Sequence, residues 1–326
     1  MRAIVQRAYG SDPATVLRLE EVARPSPQRG EVLVEVVAAS VDRGTWHLMA
    51  GRPQLMRLMG FGLRRPKALN PGRAFAGTVV TAGADAGALQ PGDEVYGTCD
   101  GSFAEYVVAE IDKVARKPRN LTFEDAAAVP VSAVAALQAV RDQANLKPGQ
   151  RSLVIGASGG VGSFIVQLVK AYGGRITGVA STSKVDLVRQ LGADEVIDYT
   201  QEDFADGHRS YDVVFDTGGN RPLSQVRRAL AQGGTLVVVG GETDGKWLGG
   251  FARNVRTMLL APAVRDQHLR SLTSKENAAD LEALRAFFED GKLSSAVDRA
   301  YPLAETPAAI GYLMEGRVRG KLVVSM

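Results

Sequence analysis

The residues whose types and spacing could do chemistry begin with the run Leu153-Val154-Ile155-Gly156-Ala157-Ser158-Gly159-Gly160-Val161-Gly162. Its first three residues are apolar and partly β-branched, as in a buried strand, and a glycine-rich turn follows. Beyond the turn, Phe164, Ile165, Leu168, Val169 and Tyr172 fall on one face of a helix over 163–172. Strand, glycine turn and helix in that order can hold a pyrophosphate. Glycine lets the backbone come close, and the helix start offers free N–H groups and the positive end of a dipole. The spacing is A-x-G-x-x-G, with Ala157 where the strict fingerprint has its first glycine. By itself it also suits a tight turn with no ligand. The candidate contacts are Ser158, Gly159, Gly160, Val161 and Gly162.

A second group lies about 20 residues on, where such sites read the adenosine ribose. The next strand ends Ala180-Ser181-Thr182-Ser183-Lys184. It carries no carboxylate to repel a 2′-phosphate, and Ser181, Thr182, Ser183 and Lys184 offer three hydroxyls and an ammonium to hold one. That favours NADPH over NADH. A helix N-cap by Ser181 or Ser183 is compatible with this role.

A third group, Ser40-Val41-Asp42-Arg43-Gly44-Thr45-Trp46-His47, follows an apolar run and crowds acid, hydroxyl, indole and imidazole together. Asp42, Trp46 and His47 are the candidates for orienting or protonating a substrate. The competing view makes Asp42 a helix N-cap and Trp46 a core residue. Nearby, 51–70 mixes Leu55, Met56, Leu58, Met59, Phe61 and Leu63 with Arg57, Arg64, Arg65 and Lys67. It reads as a lid over an apolar pocket, or else as a surface helix meeting a membrane or partner.

These groups need elements to carry them. Residues 1 to about 120 are β-rich, with runs at 16–20, 31–39, 78–80, 94–96 and 106–108 and a turn at Pro91-Gly92-Asp93. Thr122 and Asp125 open a helical, Ala-rich segment interrupted at Pro130. From residue 151, strands at 175–180, 195–198, 212–216 and 234–240 alternate with helices, which predicts a parallel sheet covered on both faces. Near the end come an amphipathic helix at 277–289, stopped by Gly291, a helix at 302–316 and a strand at 322–324.

The chain of 326 residues has length for about two domains. Its one cysteine, Cys99, forbids an internal disulfide and fits a reducing compartment. The start lacks an apolar signal core, and no apolar run approaches the ~20 residues that cross a bilayer. A cytoplasmic protein is expected. The net charge of +3 is scattered, without the basic run and interleaved aromatics that would point to nucleic acid.

The glycine turn, Ser181-Thr182-Ser183-Lys184, Leu191-Gly192-Ala193-Asp194, Asp198-Tyr199, Pro91-Gly92-Asp93-Glu94-Val95, Gly101 to Tyr106 and Arg319-Gly320-Lys321-Leu322-Val323-Val324 occur together. In combination the chain resembles the medium-chain dehydrogenase/reductase superfamily, in particular its zinc-free NADPH:quinone oxidoreductase branch. The resemblance implies an α/β protein with a GroES-like β-rich catalytic domain (1–122, with a C-terminal return at 269–326) and an inserted Rossmann doubly wound parallel sheet (123–268). The cleft between them would hold the nicotinamide. It further implies that Tyr199 lies near the 2′-phosphate, Gly240 and Gly241 on the nicotinamide side and Lys321 near the cofactor, and that homodimers join through strands near 267–272. Zinc-dependent relatives carry a Gly-His-Glu turn where this chain has Gly72-Arg73-Ala74, and need more cysteine than Cys99 alone beside His47, His208 and His268. No metal site is expected. Asp42 stands where many quinone reductases have Asn, and Ala135 where they have Thr.

The implied reaction is hydride transfer from NADPH to a small-molecule quinone or activated enone, with no nucleic acid and no stable membrane insertion. The alternative is an NADPH-binding protein of the same fold with little turnover, acting through RNA or protein contacts.

Overall fold

A computed structural model of the chain describes residues 1–240, 249 and 251–326. It divides into two compact units, one formed by 1–134 with 276–326 and the other by 135–275. From sequence alone the boundaries fall at 122/123 and 268/269. The N-terminal difference has a local cause. The helix Phe123–Ala127, capped by Thr122 through the Asp125 amide at 3.1 Å, packs its alanines on the β-rich unit's strands.

The discontinuous unit is built on a sheet whose described strands run Val297–Pro302, Lys321–Ser325, Glu31–Val41, Ala74–Ala82, Glu94–Thr98 and Val114–Arg116, with Tyr106–Glu110 also on Glu31–Val41. Glu31–Val41 is long because alternate residues face one core: Val32, Val34 and Val36 are buried with Phe75, Val95 and Val107. The last strand pairs antiparallel with it, Leu322 opposite Val41 and Val323 opposite Ser40. Where strands cross closely, side chains are excluded: a Cβ on Gly77 would lie 2.1 Å from the Glu35 carbonyl oxygen. The helix Ala278–Glu289 begins at Asn277, whose side chain accepts the Asp280 amide, and buries Leu281, Leu284 and Phe288. A buried tyrosine ties it down, Tyr96 OH donating to the Leu281 carbonyl at 2.6 Å.

Among the described residues the second unit carries six parallel strands. In chain order they are Arg151–Ile155, Arg175–Ala180, Glu195–Asp198, Tyr211–Asp216, Leu230–Val238 and His268–Ser271. Their spatial order is third, second, first, fourth, fifth, sixth. Chain direction across the sheet therefore reverses between the first and fourth strands, which opens a crevice beyond their carboxyl ends. The helix expected from residue 163 begins earlier, at Gly160, and runs to Ala171, because its glycine start needs no side-chain cap. The helices after the second and fourth strands are short, Val185–Gln190 and Leu223–Arg228. A buried ion pair joins Asp216, at the end of the fourth strand, to Arg253 of the helix Phe251–Leu260. Among the described residues no helix is long and apolar enough to cross a membrane.

Replacing Tyr96 by Phe removes one buried hydrogen bond and leaves the helix carbonyl its own backbone partner. The expected loss is about 1 kcal/mol in urea unfolding, with an unchanged denaturant slope. A loss above about 3 kcal/mol would mean that the hydroxyl has a larger role than attaching this helix.

Candidate functional site

The glycine turn lies at the crevice. Gly156 leaves the first strand with φ +84, a conformation that side chains rarely adopt. The chain then folds so tightly that a Cβ on Gly162 would lie 2.1 Å from the Gly156 carbonyl oxygen. Gly159 caps the helix without a side-chain hydrogen bond. The amides of Gly160, Val161 and Gly162 thus open the helix with no capping side chain over them, as an anion site requires. Ser158 is buried beside them. Thr217 was not visible as a partner in the sequence. It follows the fourth strand and donates its hydroxyl to the Ile155 carbonyl at 2.7 Å, bracing the turn. Asp216 accepts the Gly219 amide at 2.9 Å and shapes the adjoining loop. Gly240 lies beyond the fifth strand, near the Thr217 carbonyl. Gly241 lies outside the described residues.

Ser181 follows the second strand, and Thr182–Lys184 forms a short 3-10 turn. Tyr199 follows the third strand, half exposed, its amide donating to the Ala180 carbonyl at 3.1 Å. The two strand ends are neighbours, so Ser181, Thr182, Ser183, Lys184 and Tyr199 share one locality. It also holds a carboxylate. Thr182 Oγ1 donates to Asp198 Oδ2 at 2.5 Å, and Asp198 accepts the Thr200 hydroxyl at 2.7 Å and its amide at 3.0 Å. The Thr182 hydrogen bond leads the causes that lower the Asp198 pKa, opposed by desolvation and assisted by Thr200. Absence of an acid from the second strand end therefore does not make the locality acid-free. Sequence order hides this because Asp198 arrives from the next strand.

In the discontinuous unit, Asp42 begins the helix Arg43–Ala50 as its N-cap, with its amide donating to Thr45 Oγ1 at 3.2 Å. Its carboxylate is also the hub of a polar cluster. Lys321, 2% exposed, is ion-paired to Asp42 Oδ1 and donates to Ser132 Oγ at 3.0 Å. Ser132 and Ser40 each donate to Asp42 at 3.2 Å. Asp42 and Lys321, suggested for different roles, are thus brought together. Ser40 and Ser132 complete the cluster; no spacing rule links residues 40, 132 and 321, although all three are polar in apolar runs.

Trp46 and His47 make contacts elsewhere. Trp46 packs against the core and donates Nε1–H to the Ser11 carbonyl at 3.4 Å. The His47 ring meets it edge-on, and its Nδ1 is 2.9 Å from the Arg52 carbonyl, an acceptor that requires the proton on Nδ1. The 51–70 stretch contains one irregular helical turn, Arg57–Phe61. Leu58, Met59 and Leu63 point outward, each more than 60% exposed. Gly60 and Phe61 help wall a cavity of about 360 Å³ with Tyr9, Leu48, Pro66 and Asn70. Tyr9 OH pins the turn by donating to the Phe61 carbonyl at 2.7 Å.

Among the described residues, no three of His, Cys, Asp and Glu converge as metal ligands would. Cys99 is buried, and burial pushes its thiol pKa far above the ordinary value. Arg73, in the place of an imidazole ligand, pairs with Asp100 at 2.8 Å.

Residues 28–119 match the family model of the alcohol dehydrogenase GroES-like domain, and 191–324 that of zinc-binding dehydrogenase. The chain is 32% identical to a 2-methylene-furan-3-one reductase of Solanum lycopersicum, over 99% of this chain and 79% of that protein. It is 31% identical to a chloroplastic NADPH-dependent alkenal/one oxidoreductase of Arabidopsis thaliana, with the same coverages. The solved quinone oxidoreductase of Coxiella burnetii is similar in fold, with a TM-score of 0.84 at 28% identity, covering 100% of this chain and 99% of that one.

Lys321→Met would leave the Asp42 carboxylate buried without its countercharge. The expected loss is about 3–5 kcal/mol, largely recovered when Asp42→Leu is added. Urea unfolding of the single and double variants checks this; equal losses in both would show that Asp42 and Lys321 are not coupled.

Proposed function

The chain belongs to the medium-chain dehydrogenase/reductase superfamily and is an oxidoreductase of that type, and from that premise we propose an NADPH-dependent, zinc-independent reductase of quinones or activated enones. The observation that carries the proposal is the turn at Gly156–Gly162, where the Gly156 carbonyl oxygen takes the place of a Cβ at residue 162 and Thr217 Oγ1 that of one at residue 156. A dinucleotide fits this cradle: the amides of Gly160, Val161 and Gly162 face its pyrophosphate, with Ser158 alongside and Thr217 holding the turn in shape. When bound, the dihydronicotinamide supplies the hydride.

Ser181, Ser183, Lys184 and Tyr199 hold the 2′-phosphate in this reading. Asp198 stays ionised, with Thr182 and Thr200 occupying its oxygens, and the Lys184 ammonium offsets its charge toward the phosphate. That the Arabidopsis relative is an NADPH-dependent oxidoreductase supports the same choice. Gly240 and Gly241 belong to the nicotinamide side.

Asp42 acts as an orienting group. Its carboxylate accepts from three side chains, the opposite of what a proton donor does. It fixes Lys321 Nζ, whose remaining N–H is directed by the Asp42–Ser132 pair. His47 holds the start of the 51–70 segment through the Arg52 carbonyl, and Trp46 is tied to the Ser11 carbonyl. The wall formed by Phe61 and Tyr9 offers an apolar surface to a quinone or enone. With no metal in the reading, oxyanion character on the substrate is met by N–H and O–H donors. Zinc does not fit the donor set, since the one thiol is buried and the imidazoles do not gather. A homodimer through His268–Ser271 is consistent with the placing of that strand at the edge of its sheet.

Lys184→Ala should weaken NADPH binding about tenfold, the worth of one charge-assisted contact, and leave NADH nearly unchanged. Fluorescence titration with both nucleotides checks it, and equal losses would reject the 2′-phosphate assignment. Gly162→Ala should weaken both nucleotides alike. NADPH oxidation with quinones and enones should persist after EDTA dialysis; loss restored by zinc would overturn the metal-free reading.

A further inference from the structure

The parallel sheet has a second cavity, of about 560 Å³, at the edge where its strands begin, opposite the crevice that holds the glycine turn. Arg151, Arg175, Glu195 and Tyr211 line it, and each is the first residue of its strand. The register sets Arg151 directly beside Arg175 on the neighbouring strand. Two like charges so placed repel unless something negative lies between them. Among the described residues neither guanidinium lies within ion-pair distance of a carboxylate, and the one acid whose charge feels Arg175, Asp194, is bonded to Lys170.

The nearby carboxylates are mostly engaged elsewhere. Asp194 takes Lys170 at 2.6 Å and the Ile176 amide at 2.8 Å. Burial opposes its ionisation, but these hydrogen bonds outweigh burial and its pKa is lowered. Asp212 accepts the Arg151 amide at 2.8 Å, and Arg209 is held by Glu202 at 3.2 Å. Glu195, exposed on the rim, is the remaining acid of the lining.

Two further lining groups have a hydroxyl proton with no acceptor. Ser152 is 1% exposed and its hydroxyl makes no hydrogen bond; Tyr211 is 4% exposed, and Thr177 approaches its oxygen as a donor while its own O–H meets no acceptor. A buried O–H without an acceptor costs free energy, and two of them beside two arginines that make no ion pair are what a bound oxyanion would satisfy. We propose that this cavity binds a phosphate monoester, its oxyanion held between Arg151 and Arg175 and accepting a hydrogen bond from Tyr211. The volume leaves room for a small organic group beyond the phosphate. This site is independent of the dinucleotide reading, because it shares no residue with the glycine turn.

Calorimetric titration of the full chain with inorganic phosphate and with glycerol 3-phosphate, at constant ionic strength and with acetate as control, tests it. Both phosphates should bind saturably, the ester more tightly. Arg151→Ala with Arg175→Ala should weaken them about tenfold or more while NADPH affinity is unchanged. Tyr211→Phe should weaken phosphate several-fold while changing the melting temperature of the ligand-free protein little, since the O–H it removes has no acceptor there. Absence of saturable binding would overturn the proposal. So would phosphate binding that survives the double arginine variant, which would assign the anion to another place, the glycine turn included.

Discussion

A single backbone contact governs the nucleotide-binding unit: the Gly156 carbonyl oxygen occupies the space where a side chain at residue 162 would begin. Both residues must be glycine for different reasons, Gly156 for its positive φ and Gly162 for the approach. With that contact made, the helix Gly160–Ala171 starts immediately above the strand end and its first amides are left facing outward. Thr217 then bridges the first and fourth strands at the place where chain direction across the sheet reverses. Strand order, turn geometry and exposed amides are consequences of one steric condition.

Much of this was legible in the sequence because it is local. The strand before the turn, the helix after it and the succession of parallel strands are written in apolar periodicity and in glycines between them. Gly291, with φ +69, stops its helix as its position suggests, and Thr122 caps as its distance from Asp125 suggests. Less legible were contacts between distant parts of the chain. Asp198 enters the neighbourhood of Ser181 because the second and third strands are adjacent, and nothing in the spacing of residues 181–184 reveals an acid arriving from there. Ser132 joins Asp42 and Lys321 through three separate segments. The apolar residues of 51–70 divide between outward-facing Leu58 and Met59 and cavity-facing Phe61, a split that composition cannot express.

Two buried ion pairs bind elements far apart in sequence. Asp42 with Lys321 connects the start of one helix to the closing strand, and Asp216 with Arg253 connects a strand end to a helix. A charge withdrawn from water is tolerable only with its partner in place and its other polar contacts satisfied. Asp42 meets that condition with two serines, and Asp216 meets it with the Gly219 amide. Such pairs define the position of each element more sharply than apolar packing, which allows small slides between surfaces of similar shape.

The pairing of Lys321–Ser325 with Glu31–Val41 has a bearing on how the protein is made. During synthesis the N-terminal segment emerges early, yet a flank of its longest strand stays unpaired until nearly three hundred further residues have been added. The whole parallel-sheet unit, continuous in sequence, leaves the ribosome and can complete itself within that interval. The β-rich unit must wait with an open edge, so for the newborn chain the vulnerable period is set by translation speed, and the segment carrying Leu322, Val323 and Val324 is what brings it to a close.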